Sequence, residues 1–200
     1  MSPSPSRGEI QIGTEMKFES TPIEGIVEVV IEWHRDVRGS FGRTFCAAEF
    51  ASHGLIPKVA QCNLSTNPRR GTVRGFHLQL EPHEEAKLVQ CLTGRVFDVA
   101  LDLRPGSLTY GRHHTVELSA EAGRMLFIPE GCAHAFQTLE DATSLLYYIS
   151  TPYHPESATG VLWNDPAIGV KWPIAEVIVG ERDSSLPRLE AFTLRAPGLS

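Results

Sequence analysis

The chain has 200 residues, of which 42% are hydrophobic and 21% are charged, and its formal net charge is −6. A chain of this length can bury a core without disulfides or a structural metal. The negative charge and the lack of a basic block argue against a general nucleic-acid-binding protein, because such proteins neutralise phosphates with clustered lysine and arginine.

Cysteine spacing and hydropathy bear on the cellular compartment. No pair among Cys46, Cys62, Cys91 and Cys132 has the Cys-x-x-Cys spacing, so we expect reduced, mostly buried thiols rather than a zinc or redox site. The N-terminal residues lack the apolar segment of a signal peptide, and no stretch reaches the ~20 apolar residues that a membrane span needs. We therefore expect a cytoplasmic protein without membrane contact.

The sequence of the N-terminal part of the chain predicts a tail, three strands and one helix. Residues 1–13 are rich in serine and proline, which predicts a flexible tail, and residues 14–200 are predicted to form a single domain. A short helix that ends at Gly54 is expected over residues 47–53. Strands are predicted over residues 26–33, 41–45 and 58–64.

From residue 72 onward, strands and turns alternate without a helical pattern between them. Such spacing is typical of an all-β sandwich or barrel. A last short helix is expected near residues 188–192. After the strand that begins at residue 72, further strands are predicted over residues 87–92, 96–103, 114–118, 125–128, 135–139 and 144–149.

His77, in the strand that begins at Thr72, is the first candidate functional residue. Residues two apart share a face of a strand, so His77 lies with Gly75 and Gln79, and Arg74 lies on the opposite face. Arg74 and His77 can therefore reach one site only if Gly75 is bulged or kinked, which is a common use of glycine in a strand. Alone, His77 is as well explained as a structural histidine.

Pro129, Gly131 and His134 have the spacing of the second cupin motif, which places a histidine at the mouth of a small β-barrel. Metal-binding cupins add further histidines from a first motif, and a catalytic metal site needs about three protein ligands. Here Gln79 stands where the first motif has its second histidine. A metal-dependent cupin that uses His77, His134 and, as a substitute, His83 stays open as an alternative, although we expect no metal.

Other polar residues gain weight only if they meet His77 in space. Asp98 could orient His134 if the 96–103 strand lines a polar pocket. Tyr147 and Tyr148 are adjacent and so face opposite ways, which lets one of them reach the pocket. Lys87, at the start of a strand, is by itself best interpreted as a surface lysine.

At these residues the chain resembles the dTDP-4-dehydrorhamnose 3,5-epimerase family, a branch of the cupin superfamily, from about residue 36 to residue 183. The family's fold is an all-β cupin jelly-roll or β-barrel with short peripheral helices. The segments that carry the resemblance are Asp36-Val37-Arg38-Gly39, Gln61-Cys62-Asn63, Val73-Arg74-Gly75-Phe76-His77, Ala86-Lys87-Leu88-Val89, Gly94-Arg95-Val96-Phe97-Asp98-Val99-Ala100-Leu101-Asp102, Ile128-Pro129-Glu130-Gly131-Cys132-Ala133-His134 and Trp163-Asn164-Asp165-Pro166.

The resemblance implies a role for each matching residue. His77 matches the general base, Asp183 the carboxylate that partners it, and Tyr147 the proton donor. Lys87 matches a cationic contact to the reacting part of the substrate. The positions that match other substrate contacts, including a second His–Asp pair, are Arg38, Gln61, Asn63, Arg74, Asp98 and His134. Arg43, Tyr153 and Arg182 are further candidate substrate-binding residues.

The implied reaction is epimerisation at C3, C5 or both of a nucleotide-linked 4-keto-6-deoxyhexose. Loss of a proton next to the ketone gives an enolate with its charge on O4. His77 would take the proton, Lys87 would stabilise the enolate oxygen, and Tyr147 would return a proton on the opposite face. This route uses no metal and no organic cofactor, and the family implies a homodimer.

Three positions depart from the family pattern. Arg43 stands where the family has a glutamate that helps to read the thymine, Ala158 where it has a second acidic contact, and Arg182 where it has a lysine. A guanidinium cannot accept a hydrogen bond from a base N–H. We therefore hypothesise an epimerase whose nucleotide is not fixed as dTDP. The alternative outside the enzymes is a cupin that binds a sugar nucleotide without turnover.

Overall fold

Two β-sheets that pack face to face make up most of the computed structural model, which describes residues 15–193. The strands are β1 (Met16–Ser20), β2 (Val27–Ile31), β3 (His34–Asp36), β4 (Gly39–Phe41), β5 (Gln61–Asn67), β6 (Thr72–Gln79), β7 (Lys87–Thr93), β8 (Arg95–Asp102), β9 (His113–Ser119), β10 (Arg124–Ile128), β11 (Cys132–Thr138), β12 (Thr143–Ile149), β13 (Ala158–Gly160) and β14 (Ile178–Val179). The helices are α1 (Ala47–Ser52), α2 (Glu181–Ser184) and α3 (Leu189–Thr193).

Strands that are distant in sequence are neighbours in both sheets. The first sheet has the order β1-β2-β10-β7-β12-β5, and the second has the order β13-β6-β11-β8-β9. β14 pairs in parallel with the start of β6, so β13 and β14 lie along the same edge of that strand. β3 and β4 form a separate hairpin.

The core lies between the two sheets, and further apolar layers cover both outer faces. Phe50 of α1, which is fully buried, packs over the first sheet against Phe127. Residues after β13 cover the second sheet, with Phe192 of α3 in the same apolar cluster as Phe76. Because it is covered on both sides, β11 is buried along its whole length. The side chains between the sheets include Val89, Val96, Ala100, Leu118, Leu126, Phe136 and Leu145.

The predicted all-β jelly-roll class with short peripheral helices is confirmed, and the described strands do not close into a barrel. Helices are found where they were predicted, at α1 and α3. The strand expected over residues 41–45 is wrong, because the chain there leaves the β3–β4 hairpin and crosses the first sheet. A Cβ atom on Gly42 would lie 2.3 Å from Ile31, and Phe45 packs on Phe50.

The remaining differences concern short elements and the chain ends. The strand predicted over residues 58–64 begins later, as β5. The elements that were not predicted are β1, β3, β4, β13, β14 and α2. The tail expected over residues 1–13 lies outside the described residues. Within residues 15–193, the longest helix has six residues, so none has the length or apolar character to span a membrane.

Candidate active site

A cavity of about 270 Å³ opens at one end of the space between the sheets. Its wall is built from β5, β6, β7, β11 and β12, with the loop after β12 and α2 at the rim. Nine of the predicted site residues line it, namely Gln61, Asn63, Arg74, His77, Lys87, His134, Tyr147, Tyr153 and Arg182.

His77 and Asp183 form a direct pair at this cavity. Nε2 of His77 lies 2.7 Å from Oδ1 of Asp183, and Oδ2 of Asp183 accepts a hydrogen bond from the N–H of Gly75 at 3.0 Å. Burial by itself would raise the pKa of Asp183, but the hydrogen bonds from His77 and Gly75, together with the charge of Arg182, lower it overall. The Asp183 carboxylate is therefore ionised. Of the two ring nitrogens of His77 it contacts Nε2, so the other ring nitrogen is available to a substrate.

The distortion expected at Gly75 is present. Gly75 has a φ of +116°, and the pairing of β6 with β11 shifts register between His134 and Phe136. A Cβ atom on Gly75 would lie 2.4 Å from the carbonyl oxygen of His134, so only glycine fits. As a result, Arg74 and His77 both face the cavity.

His134 and Asp98 form the second histidine–carboxylate pair. Nε2 of His134 lies 3.0 and 2.9 Å from the two carboxylate oxygens of Asp98, which is fully buried. His134 is opposite His77 in the pairing of β11 with β6. The ring of Tyr147 meets the ring of His134 edge to face, with centroids 5.7 Å apart.

Tyr147 reaches the cavity from the opposite sheet, because it lies on β12 and His77 lies on β6. Burial, and after it the negative charge of Asp98, raises the pKa of the Tyr147 phenol well above its usual value, although Arg74 opposes the shift. The hydroxyl therefore stays protonated at neutral pH. Tyr148 faces the other way, as expected, and packs on the outer face of the first sheet.

Lys87 is buried, so its interpretation as a surface lysine is wrong. Its Nζ donates to the carbonyl oxygen of His77 at 3.1 Å and lies 2.8 Å from Oε1 of Glu85. The side chains of Lys87 and Glu85 are each only 9% exposed, and both line the cavity. The ammonium thus bridges the two sheets beside the base.

Glu85 is a site residue that the sequence interpretation missed. A signal was available, because Glu85 and Lys87 are two residues apart at the start of an extended segment and so share a face. Asn67 was missed as well. It is buried and accepts a hydrogen bond from Nε of Arg74 at 2.9 Å, which fixes the direction of that guanidinium.

The three histidines of the metal-dependent alternative, His77, His83 and His134, do not form one ligand set in the part of the chain that the structure describes. Nε2 of His77 and Nε2 of His134 each face an aspartate. The ring of His83 stacks on that of His154, with centroids 3.5 Å apart. Within residues 15–193, the one group of histidine and acidic side chains close enough to share an ion does not include His77 or His134.

Hydrogen bonds link the polar residues at the rim of the cavity. The N–H of Tyr153 donates to Oε1 of Gln61 at 2.9 Å, and Nε2 of Gln61 lies 3.4 Å from Oδ1 of Asn63. Arg182, which precedes Asp183 in α2, lines the same rim, as does Ala158. The rim thus offers amide groups and a guanidinium to a ligand.

Two predicted site residues, Arg38 and Arg43, do not line this cavity. Nη2 of Arg38 pairs with Asp36 at 2.5 Å in the β3–β4 turn, and the Arg38 side chain is 86% exposed. Arg43 forms an ion pair with Glu49 of α1. Both guanidiniums are thus paired with neighbouring carboxylates outside the lining of this cavity.

Comparisons with known proteins agree with this geometry. The family model described as dTDP-4-dehydrorhamnose 3,5-epimerase matches residues 20–191. A dTDP-4-dehydrorhamnose 3,5-epimerase of Sinorhizobium fredii is 42% identical over 176 residues, which cover 88% of this chain and 90% of that protein.

Solved structures give the same result. A dTDP-6-deoxy-D-glucose-3,5-epimerase of Legionella pneumophila, in complex with dTDP-4-keto-L-rhamnose, is 33% identical with a TM-score of 0.84 and covers 88% of this chain and 94% of that chain. A 3'-monoepimerase of Streptomyces bikiniensis, in complex with dTDP-quinovose, is 33% identical with a TM-score of 0.83 and covers 90% of this chain and 91% of that chain. The matched segments include both histidine–aspartate pairs, and the chain belongs to the dTDP-4-dehydrorhamnose 3,5-epimerase family.

Proposed function

We propose that the protein is a sugar-nucleotide epimerase that inverts C3, C5 or both centres of a nucleotide-linked 4-keto-6-deoxyhexose, such as dTDP-4-dehydro-6-deoxyglucose. The observation that carries the proposal is the His77–Asp183 pair on the wall of a cavity that also holds Lys87 and Tyr147. The Legionella and Streptomyces relatives, whose structures contain dTDP sugars, support the substrate class.

The first step removes a proton next to the C4 ketone. Asp183 holds Nε2 of His77, so the other ring nitrogen takes the proton as the C–H bond breaks and the electron pair moves onto O4. Positioned acid–base groups of this kind contribute roughly 10²–10⁴-fold to a rate. The Lys87 ammonium stabilises the charge on O4, and a donor in that role is worth about 10²–10³-fold.

The second step returns a proton from the opposite side. Tyr147 projects from the first sheet and His77 from the second, so a sugar ring between them presents a different face to each. Protonation of the enolate by the Tyr147 hydroxyl therefore inverts the carbon. After one turnover His77 carries an extra proton and Tyr147 lacks one, so the pair exchanges protons with water before the next cycle.

The substrate's nucleotide and phosphates occupy the rim in this proposal. Arg74 and Arg182 bring positive charge to the cavity wall, and guanidinium groups suit a diphosphate. Gln61, Asn63 and Tyr153 offer amide and phenol groups to the sugar or the base. None of these groups is an acidic acceptor for a base N–H.

A cytoplasmic homodimer is part of the proposal. If Arg38 and Arg43 contact the substrate, as the family resemblance implies, they act in the cavity of a second copy. The β3–β4 hairpin that carries Arg38 exposes two large apolar side chains, Val37 and Phe41, which suit burial in an interface. Sedimentation velocity measures the oligomeric state directly, and a monomer at micromolar concentration would contradict the proposed homodimer.

The four unpaired thiols fit a reducing compartment such as the cytoplasm.

The test of the function is deuterium uptake from heavy water into dTDP-4-dehydro-6-deoxyglucose, followed by NMR. We expect uptake at C3, C5 or both, and a loss of roughly 10²–10⁴-fold in His77→Ala, because the base is removed. His53→Ala is the matched control, since His53 is an exposed histidine that follows α1. The same measurement with UDP-, CDP- and GDP-linked substrates reports the base preference.

Two outcomes would overturn the proposal. Uptake that His77→Ala leaves unchanged would remove His77 as the base. Tight binding of the substrate by the wild-type protein without any uptake would instead identify a cupin that binds sugar nucleotides without turnover.

A further inference from the structure

One buried carboxylate in the reaction cavity takes no part in the two proton transfers. The side chain of Glu85 is 9% exposed, and it lines the same cavity as His77 and Lys87. A carboxylate that is removed from water costs free energy unless it is paired. The partner of Glu85 is the Lys87 ammonium, because Nζ of Lys87 lies 2.8 Å from Oε1 of Glu85.

The backbone on either side of Glu85 is fixed by residues that follow β12. The N–H of Ala86 donates to Oγ of Ser150 at 2.8 Å, and the carbonyl oxygen of Ala86 accepts from the N–H of Ser150 at 3.0 Å. The hydroxyl of Thr151 donates to the carbonyl oxygen of Glu84 at 2.7 Å. The segment that presents the carboxylate is therefore in place before any substrate enters.

Two acceptors fix the direction of the Lys87 ammonium. It pairs with Glu85, just before β7, and donates to the carbonyl oxygen of His77, on β6, at 3.1 Å. An ammonium has three N–H donors, so these contacts with the described residues leave one for a substrate. Without Glu85, a long and flexible side chain would be held by the His77 carbonyl alone.

We propose that Glu85 is a positioning residue for the epimerisation, because its carboxylate holds the Lys87 ammonium where the enolate oxygen O4 develops its charge. This role rests on the proposed function, since Glu85 acts through the stabilisation of O4 by Lys87. The charge of Glu85 has opposite effects with and without its partner. Beside the ammonium it orients a cation, whereas alone it is an unpaired anion that repels the enolate.

The test is a double-mutant cycle of Glu85→Gln and Lys87→Met, measured as the rate of deuterium uptake into dTDP-4-dehydro-6-deoxyglucose at increasing substrate concentration. Glu85→Gln alone should lower kcat by about 10–10²-fold, because a misplacement of about 1 Å can cost about 10²-fold. KM should change little, since the enolate forms only after the substrate has bound. Lys87→Met alone should lower kcat by about 10²–10³-fold. In the Lys87→Met background, Glu85→Gln should instead raise kcat, by about 10-fold, because it removes the unpaired anion.

Glu84→Gln is the matched control, because Glu84 is the adjacent carboxylate and is not among the residues that line the cavity. It should leave kcat and KM close to wild type. A fall of kcat on Glu85→Gln in both backgrounds would identify a merely structural residue and overturn the proposal. If circular dichroism shows that Lys87→Met does not fold, the kcat and KM of Glu85→Gln alone decide, and a raised KM with unchanged kcat would overturn the proposal.

Failure of this role and failure of the proposed function give different results. Absence of uptake by the wild-type protein would overturn the epimerase function and, with it, the role of Glu85. Uptake by the wild-type protein, without the change of sign between the two backgrounds, would overturn the role of Glu85 alone.

Discussion

Two histidines line the cavity, and their side chains differ in exposure to solvent. The side chain of His77 is 38% exposed, whereas that of His134 is 6% exposed. A base has to reach the substrate and then exchange its proton with water, which favours His77. His134 is instead enclosed between Asp98 and Tyr147.

Replacement of Tyr147 by phenylalanine separates the two proton transfers. The variant keeps the ring that packs on His134 but lacks the hydroxyl that we propose as the proton donor to the enolate. We expect turnover to inverted product to fall by roughly 10²–10⁴-fold, the range for a lost acid, while His77 still exchanges the substrate proton with deuterium. NMR of the C3 and C5 positions distinguishes exchange from inversion.

Tyr148→Phe is the control for that experiment, because the Tyr148 hydroxyl bonds to Thr44 on the other face of β12. It should leave both rates close to wild type. Equal loss of exchange and inversion in Tyr147→Phe would show that the phenol is needed for the first step as well.

Among the strands, β6 depends on one distorted residue to present its side chains. Gly75→Ala would place a methyl group against the backbone of His134 and Ala135 at 2.4–2.6 Å, at a φ of +116°. We expect a loss of about 2–4 kcal/mol in the free energy of unfolding, from overpacking together with the left-handed backbone. Activity should fall further than stability, because His77 and Arg74 both move. Urea unfolding and deuterium uptake measure the two effects.

Gly54→Ala is a matched control that measures the cost of the left-handed backbone without a steric clash. Gly54 has a φ of +70°, and a Cβ atom there meets nothing within 4 Å. It should cost about 1 kcal/mol. A similar cost for both variants would show that β6 can relax around a larger residue.

Strands with a clear local pattern could be predicted from the sequence, whereas short elements that depend on long-range pairing could not. β7 to β12 are long enough to show a strand pattern, and the requirement that Arg74 and His77 meet predicted the distortion at Gly75. β14 and α2 have only two and four residues, and their position follows from pairing with β6 and from the contact with His77. No local pattern marks Asp183, so only the family resemblance brought it to the site. Lys87 was misjudged because its partner Glu85 was not considered.

For the molecule as a whole, stability should fall in acid. Burial by itself would raise the pKa of Asp102, but hydrogen bonds from Arg104, Ser107 and Thr109 outweigh it and hold the pKa well below its usual range. Asp183 is shifted in the same direction. A carboxyl whose folded pKa is lowered stabilises the protein above its unfolded pKa of about 4, and this contribution is lost as the pH falls.

Urea unfolding between pH 7 and pH 3 measures this contribution. In Asp102→Asn the free energy of unfolding should be lower at pH 7 by about 1–3 kcal/mol, because charge-assisted hydrogen bonds are lost. Below pH 4 its decline with acidification should be less steep than in the wild type, by up to about 1.4 kcal/mol per pH unit. Parallel curves for the two proteins would contradict the assignment.

Residues 178–193 lie over the second sheet through β14 and the buried side chain of Phe192, and they carry Asp183 to a histidine 106 positions earlier in the chain. A local opening of this C-terminal segment would disengage the carboxylate from His77 while leaving the central strands paired. Such sub-global openings have lower free energies than complete unfolding. If His77 is the base, as we propose, activity depends on how firmly this segment docks, and inactivation on heating should precede loss of the β-sheet signal.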